Sequence, residues 1–494
     1  MRSITTNLFH YPHASSGKRV SIVNYMKTLG YEADPQGVCL YVSYLGIHAL
    51  FSGTLMVFND RLKVLFSIPE NQLPHYLAKA EALKSSIIDK TKIEVGESRK
   101  LNSEEKIWLV REIRSASNNN ISTEELLLEL EQQDPSILFD LFLRQKIDDN
   151  LNVELDSFQH TILSIPQFFA DIMAYQTFTG PDDIKNKQGT SFVKQNILEH
   201  SPILPDIIKQ QGGIVKLGQS IGAYSLDNLT TYFDSLIHAL IKTISSSANQ
   251  PVALVWRSVN HALVLGYNKN RFYFLNESPA IEFVVNNSND QSKLKLLTLS
   301  SLSKNQVTVF STEIYCTAST MVFLKPFVNT WLNDSSFQSI NEISETNIKK
   351  RDSHGGSLLH MAIKMGDVPM VKALLKKGAD PNQTLLPSGI TPLMGASQEG
   401  LLEIVDELIQ AGALVNYTLQ NGMTALWIAA KNGHLDVVRR LLAADANSHP
   451  VVKLQVESNF YDIAAHEIAT ITRHTEISEL LVKKDNEFKL NKSQ

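Results

Sequence analysis

Cys39 is the residue in this sequence that is best placed to act as a nucleophile. It ends the sequence Gln-Gly-Val-Cys at residues 36–39, directly before a long apolar stretch that is predicted to be helical. A thiol at the amino end of a helix lies at the positive end of the helix dipole, which stabilises the thiolate and favours nucleophilic attack. Gln36, in the preceding turn, could donate its side-chain amide to an oxyanion that develops during such a reaction.

A thiolate nucleophile needs a base and a group that orients the base, and His261 and Asn276 are the candidates. Residues 262–267 and 271–275 are predicted to form two paired strands, because both are apolar or aromatic and a short polar turn joins them. His261 comes directly before the first strand and Asn276 directly after the second. The hairpin should therefore bring the two side chains towards adjacent strand ends.

These elements resemble those of papain-like cysteine proteases, in particular the branch found among bacterial effectors. The resemblance rests on Cys39 opening an apolar helix, on His261 followed by alanine at the start of a strand, and on Asn276 after a Phe-rich strand. It implies a papain-like fold in which Cys39 is the nucleophile, His261 is the general base and later the acid, and Asn276 orients the histidine. It also implies that Gln36 serves as an oxyanion-hole donor.

An inert role is the alternative for Cys39, since a lone cysteine on an apolar helix is usually part of a core. Cys316, the second cysteine, is interpreted in that way, because it lies in a predicted strand without a histidine or amide motif beside it. His360 and His434 occupy positions of the repeat described below and are interpreted as structural. No set of His, Cys and carboxylate residues has the spacing of a metal site, so neither a metal nor a cofactor is predicted.

The composition excludes several classes of protein. The chain has 494 residues, 43% of them hydrophobic and 20% charged, which predicts about two to four globular domains rather than a disordered chain. With 46 basic and 51 acidic residues the net charge is −5, so no direct nucleic-acid binding is expected. Two cysteines are too few for a disulfide framework or a four-cysteine zinc module.

Neither a classical signal peptide nor a membrane span is expected. The first residues are interrupted by histidine and proline before any apolar run of signal-peptide length. Residues 37–58 carry no formal charge and are long enough to span a membrane, but polar side chains and glycines are spread along them. A buried helix followed by a strand is predicted for this segment.

A repeat of 33 or 34 residues occupies the carboxyl-terminal part of the chain. Residues 357–362, 391–396 and 424–429 align with one another, and a glycine follows each segment four residues later. The glycine ends a first helix, and a second helix with apolar residues three and four positions apart follows. The pattern resembles the ankyrin repeat, a helical module that stacks into an all-α solenoid and binds proteins. A fourth, degenerate unit at residues 466–481 has Arg473 in place of the glycine and follows an insertion at residues 447–458.

The predicted fold class is therefore α+β, a papain-like fold with a helical insertion, followed by the ankyrin repeats. Residues 1–60 are predicted to be the first part of the papain-like domain and residues 158–330 the second part, with further strands at 307–310 and 321–324. Residues 61–157 are predicted to be the insertion, in which Asp134 and Pro135 end one helix and Ile137 starts the next. About four repeats at residues 331–485 and a polar tail at residues 486–494 complete the chain.

The combined architecture resembles the ankyrin-repeat effectors that intracellular bacteria such as Legionella inject into host cells by type IV secretion. It implies a cysteine hydrolase, most simply a protease, that the repeats direct to a host protein in the host cytoplasm or nucleus. The secretion machinery would be a second partner. Two alternatives stay open: a deamidase, transglutaminase or acyltransferase that uses the same triad, and a pseudoenzyme that only binds a host protein.

Overall fold

The computed structural model describes residues 22–31, 38–116, 126–127, 130, 132–177, 204–244, 250–259, 261–269, 271–276, 280–284, 288–302, 306–449, 451–456 and 459–492. Of these residues, Asn24–Tyr31 and Asp60–Phe169 form a compact helical unit. The remaining described residues form a second compact unit, here called the main unit, which contains a β-sheet and the repeats.

The described residues before the sheet are helical, and their helices are α1 (Ile22–Thr28), α2 (Val38–Phe51), α3 (Leu55–Ser67), α4 (Leu73–Val95), α5 (Ser103–Ala116), α6 (Pro135–Glu154), α7 (Ser157–Leu163), α8 (Ile165–Thr177) and α9 (Asp206–Gln210). Helix α6 begins two residues earlier than predicted: Pro135 is its first residue, and the Asp134 carboxylate accepts a hydrogen bond from Ser136 N at 2.8 Å. The helical unit has its own apolar core, in which the rings of Trp108 and Phe142 meet edge to face with centroids 5.3 Å apart.

The sequence predicts a strand after the first buried helix, and this prediction is wrong because the structure has helix α3 there. Phe58, Leu62 and Leu65 are buried and lie three or four residues apart, which is the spacing of one helical face. The preceding helix, α2, ends at Phe51 and is apolar throughout. Because the apolar residues of α2 come shortly before those of α3, the sequence does not show where the helical spacing of α3 begins. Among the residues that the structure describes, no helix is both long and apolar enough to span a membrane.

The sheet and the helices around it follow in the order β1 (Ile214–Ser225), α10 (Leu226–Ile244), β2 (Val252–Arg257), β3 (Ala262–Asn268), β4 (Arg271–Leu275), β5 (Ile281–Val284), α11 (Ser288–Leu302), β6 (Val307–Thr317), α12 (Met321–Leu332), α13 (Ser335–Asn341) and α14 (Glu345–Lys349). Within the described residues the strands form one antiparallel sheet in the order β1-β6-β2-β3-β4-β5. The predicted hairpin of residues 262–275 is present as β3 and β4.

Helix α12 corrects the strand predicted at residues 321–324. Leu324, Phe327 and Trp331 are buried along one face of this helix, whereas Val322 and Phe323 are exposed. A run of four apolar residues fits a buried strand and a helix segment equally well, and only the spacing of the later residues distinguishes them.

The two faces of the sheet are covered by different elements. On one face, Trp256, Leu265 and Phe310 belong to a buried apolar cluster that α10, α12 and α13 complete. Helix α2 packs on the other face, where a Cβ atom on Gly266 would lie 2.9 Å from Leu50. A side chain at this position would clash, so the glycine lets the helix approach the strand closely.

The repeats form helix pairs, namely α15 (Leu358–Lys364) with α16 (Val368–Lys376), α17 (Pro392–Glu399) with α18 (Leu402–Gln410), α19 (Ala425–Asn432) with α20 (Leu435–Ala443), and α21 (Ala465–Ile471) with α22 (Thr475–Lys492). Ser357, Thr391 and Thr424 cap the first helices of three pairs, because each hydroxyl accepts a backbone N–H from the first turn. Arg473 has a φ of 68°, so it adopts the left-handed conformation that glycine has in the other repeats.

The prediction of an all-α solenoid is wrong at the last repeat. The predicted insertion contains strand β7 (Val451–Val456), which forms a β-hairpin with β8 (Asn459–Ala464), the strand that follows the insertion. β7 is rich in β-branched residues, which favour extended backbone. The Trp427 indole of α19 donates to Ile463 O at 3.1 Å, which attaches the hairpin to the preceding repeat.

Candidate active site

The structure brings His261 and Asn276 into direct contact. His261 lies immediately before β3 and Asn276 immediately after β4, and these adjacent strands are antiparallel. His261 Nε2 is 2.7 Å from Asn276 Oδ1, and both residues are half-buried. An antiparallel hairpin places the start of one strand beside the end of the next, which is why residues 15 positions apart in the sequence meet here.

The contact with Asn276 sets the protonation pattern of the imidazole ring. An amide oxygen only accepts hydrogen bonds, so His261 Nε2 carries the proton of a neutral ring and Nδ1 carries the lone pair. The amide orientation is supported by α11, because Asn276 Nδ2 donates to Ser301 Oγ at 3.1 Å. A ring with this tautomer can accept a proton at Nδ1 and remain bound to Asn276 as an imidazolium.

Cys39 is the second residue of α2, and two glycine contacts fix the direction of this helix along the sheet. Gly46 faces Leu275, next to Asn276, whereas Leu50, one turn further on, faces Gly266. Val264 pairs with Leu275, so Gly266 lies further along β3 from the end that His261 precedes. Helix α2 therefore runs in the same direction as β3, and its first turn lies towards the end of the sheet that carries His261.

The side chain of Cys39, and Gln36 with all its atoms, lie outside the described residues. Their roles as nucleophile and oxyanion-hole donor stay predictions. The backbone of α2 is described from its first residue, Val38, which directly precedes Cys39.

A buried ionic contact links α2 to the centre of the sheet, and the sequence gives no sign of it. Arg257, the last residue of β2, lies 2.7 Å from a carboxylate oxygen of Glu313 on β6 and donates a hydrogen bond to Tyr44 Oη at 2.5 Å. The Arg257–Glu313 contact is an ion pair rather than a well-aligned hydrogen bond, and it is almost completely shielded from solvent. Burial alone would lower the pKa of Arg257, but Glu313 and Tyr44 raise it overall.

The remaining thiol and two further histidines are poor candidates for chemistry. Cys316 is buried on β6 as predicted, burial raises its pKa to about 11, and its Sγ donates to Thr317 O at 3.2 Å. Burial lowers the pKa of His48 on α2 to about 4 and that of His360 in the first repeat to about 3, so both are neutral at pH 7. His360 Nδ1 is 3.0 Å from Ser357 Oγ, which supports its structural interpretation.

No metal centre accompanies the His261–Asn276 pair in the part of the chain that is described. There, no group of three or more His, Cys, Asp or Glu side chains is arranged to hold an ion. Ser301, like the buried contact of Arg257 with Glu313 and Tyr44, could not be predicted, since no local sequence pattern marks residues that meet only in the folded protein.

Comparison with known proteins identifies the repeats. The ankyrin-repeat family matches residues 359–450 in three copies. Similar proteins include the glycerophosphocholine phosphodiesterase gde1 of Schizosaccharomyces pombe, 37% identical over 103 residues, which are 21% of this chain and 9% of that protein. The mouse B-cell lymphoma 3 protein homolog is 35% identical over 101 residues, which are 20% of this chain and 22% of that protein.

A third relative is the putative ankyrin repeat protein FPV031 of fowlpox virus, 39% identical over 95 residues, which are 19% of this chain and 28% of that protein. The chain thus spans less than a third of the length of each of these relatives. The shared part is about as long as the three matched repeats.

Proposed function

We propose that this ankyrin-repeat protein is a thiol hydrolase in which Cys39, His261 and Asn276 form a catalytic triad. The observation that carries the proposal is the 2.7 Å contact between His261 Nε2 and Asn276 Oδ1, at the sheet end towards which the first turn of α2 lies. A nucleophile, a base and a residue that orients the base are the parts that cysteine acyl transfer requires. A papain-like fold for the sheet and α2 belongs to the same proposal.

In the proposed mechanism His261 Nδ1 takes the proton from the Cys39 thiol. The thiolate then attacks the carbonyl carbon of the substrate, and Gln36 would donate to the oxyanion. The imidazolium returns the proton to the leaving amine, which leaves a thioester on Cys39. Water, deprotonated by His261, hydrolyses the thioester and restores the thiol. Asn276 keeps the same ring nitrogen bound throughout, so the imidazole does not need to reorient between steps.

The repeats supply the means of recognising a protein. Ankyrin arrays bind proteins through exposed loops and helices, and Leu386 and Leu414, in loops between helix pairs, are each 57% exposed. Apolar side chains left in water at such loops fit a protein partner. We propose that the partner is a host protein and that the chain is a translocated bacterial effector acting in the host cytoplasm or nucleus, as its architecture implies.

One experiment tests both the reaction and its class. Wild-type protein and a Cys39→Ala variant are incubated with an extract of eukaryotic cells, and new protein amino termini and deamidated glutamines are measured by mass spectrometry. New termini that require Cys39 support a protease, whereas Cys39-dependent deamidation supports the same triad in another acyl transfer. No Cys39-dependent change, together with retained capture of a partner that is lost in a Leu386→Ser, Leu414→Ser variant, would favour the non-catalytic scaffold.

A further inference from the structure

The turn that leads into His261 is held by the first ankyrin repeat. Helix α15 packs on β1 and β6 of the sheet, and Lys364 is its last residue. Lys364 Nζ donates hydrogen bonds to two successive backbone carbonyls, at 2.8 Å to Ser258 O and at 2.9 Å to Val259 O. The repeats therefore touch the chain within three residues of the proposed general base.

Hydrogen bonds between Ser258 and His261 close the turn. Ser258 N donates to His261 O at 2.9 Å, and His261 N donates to Ser258 Oγ at 3.1 Å. The ammonium of Lys364 adds a contact from the first repeat to this turn, through the carbonyls of Ser258 and Val259.

Apolar packing brings the same two parts together. Val259 is buried and belongs to the same apolar cluster as Leu359 and Met361 of α15. A lysine at the end of a helix commonly interacts with the carbonyls of its own last turn. Lys364 instead donates to carbonyls in a turn between two strands of the sheet. These carbonyls belong to Ser258 and Val259, which are both buried and have little access to water.

We propose that Lys364 of the first ankyrin repeat is a positioning residue for His261, so that the repeats complete the active site in addition to binding a partner. The proposal rests on the proposed role of His261 as the general base. A displacement of the turn by the loss of Lys364 would shift the imidazole relative to Cys39, and reaction rates fall steeply when reacting groups move apart by an ångström.

Lys350 offers a matched control. It also donates from the repeat side to a backbone carbonyl of the sheet, at 3.0 Å to Ala223 O, but this carbonyl lies on β1 and not beside His261. Lys364→Met removes the two hydrogen bonds to Ser258 O and Val259 O, and Lys350→Met removes the one to Ala223 O. Lys364 is an exposed residue, so the substitution leaves no internal cavity, and circular dichroism of both variants checks that the full chain folds.

The test compares the two variants by NMR of ¹³C-labelled histidine, with the His261 signal assigned through a His261→Gln variant. We expect Lys364→Met to move the chemical shift and the titration midpoint of His261, and Lys350→Met to leave both unchanged. In parallel, Cys39 labelling by a chloroacetamide probe should slow about tenfold or more in Lys364→Met and change by less than about twofold in Lys350→Met.

An unchanged His261 signal in Lys364→Met overturns the proposal, as does an equal change in both variants. The NMR comparison does not depend on chemistry at Cys39. If labelling of the wild-type protein turns out to be independent of His261, the proposed triad fails, and the histidine signal still decides whether Lys364 positions the ring.

Discussion

Arg257 donates a hydrogen bond to the hydroxyl of Tyr44 across 2.5 Å, and this contact joins the strand that leads to His261 with the helix that carries Cys39. The pair is buried together with the carboxylate of Glu313. Removing one member of a buried ion pair leaves the other charge in a site without water, which costs more than the loss of a surface contact.

Arg257→Met should therefore lower the free energy of unfolding by about 3–5 kcal/mol, and Tyr44→Phe by about 1–3 kcal/mol, because the phenylalanine removes the acceptor of the Arg257 hydrogen bond but leaves the ion pair in place. Urea unfolding measures both values. Lys372→Met is the control, since Lys372 pairs with Glu403 on the surface, where an ion pair is expected to contribute no measurable stability. If Arg257→Met and Lys372→Met lowered the free energy of unfolding by the same amount, this would contradict the stabilising role of the buried ion pair.

The buried histidines predict a loss of stability in mild acid. Burial holds the pKa of His48 at about 4 and that of His360 at about 3, both below the ordinary value of 6.5 in the unfolded chain. Below pH 6.5 the unfolded state binds protons first, so stability is complete above this pH and is lost as the pH falls towards these values.

At pH 5 each histidine should cost about 2 kcal/mol relative to pH 7. Unfolding midpoints in urea, measured from pH 7 to pH 5, give the slope. A His48→Leu variant should show a shallower slope than the wild-type protein. A slope that His48→Leu leaves unchanged would show that this histidine is not the buried neutral group described.

Two residues with left-handed backbone conformation, Arg473 and Gly433, lie between the two helices of their repeats. We expect substitutions at these two positions to change stability in opposite directions. Arg473→Gly should stabilise the last repeat by about 1 kcal/mol, because it relieves a φ of 68° that side chains rarely adopt. Gly433→Ala should destabilise, since φ is 81° there and a Cβ would lie 2.4 Å from the His474 ring. Thermal unfolding measures both. A destabilising Arg473→Gly would indicate that the arginine side chain has a role beyond replacing the glycine.

Asn276→Ala should slow the labelling of Cys39 by about tenfold, because His261 then loses the acceptor that fixes its tautomer. Ser301→Ala should have a smaller effect in the same direction, since Ser301 supports the amide of Asn276 and not the ring itself. Labelling rates with a chloroacetamide probe at pH 7 measure both. If Ser301→Ala slowed the labelling of Cys39 more than Asn276→Ala does, this would contradict the arrangement in which Ser301 acts on His261 through Asn276.

The hairpin that holds the His261–Asn276 pair could be predicted because its information is local. Two apolar stretches and a polar turn define β3 and β4, and antiparallel pairing then places residues 261 and 276 near each other. The repeats were predictable for a similar reason, since the same pattern recurs three times and the family comparison confirms it.

Other parts of the fold and of the candidate site depend on contacts between residues that are far apart in the sequence. No local sequence pattern predicts such contacts. β1 was not predicted, because Lys216, Gln219 and two glycines interrupt the alternation of apolar residues in this strand. Arg257 and Glu313 lie on strands separated by β3, β4, β5 and α11 in the chain, and they meet only because β2 pairs with β6. Lys364 lies in the residues predicted to form the repeats, and its contact with the turn before His261 follows from the packing of α15 on the sheet.

The pH dependence of Cys39 alkylation tests the proposed triad most directly. The rate with iodoacetamide is measured between pH 5 and pH 9 by mass spectrometry of proteolytic peptides, which separates Cys39 from the buried Cys316, the internal control. A thiolate stabilised by His261 should react rapidly at pH 6, below the ordinary thiol pKa of about 8.5, and His261→Ala should shift the profile to that value. A wild-type profile that rises only around pH 8.5 and coincides with that of His261→Ala would contradict the triad.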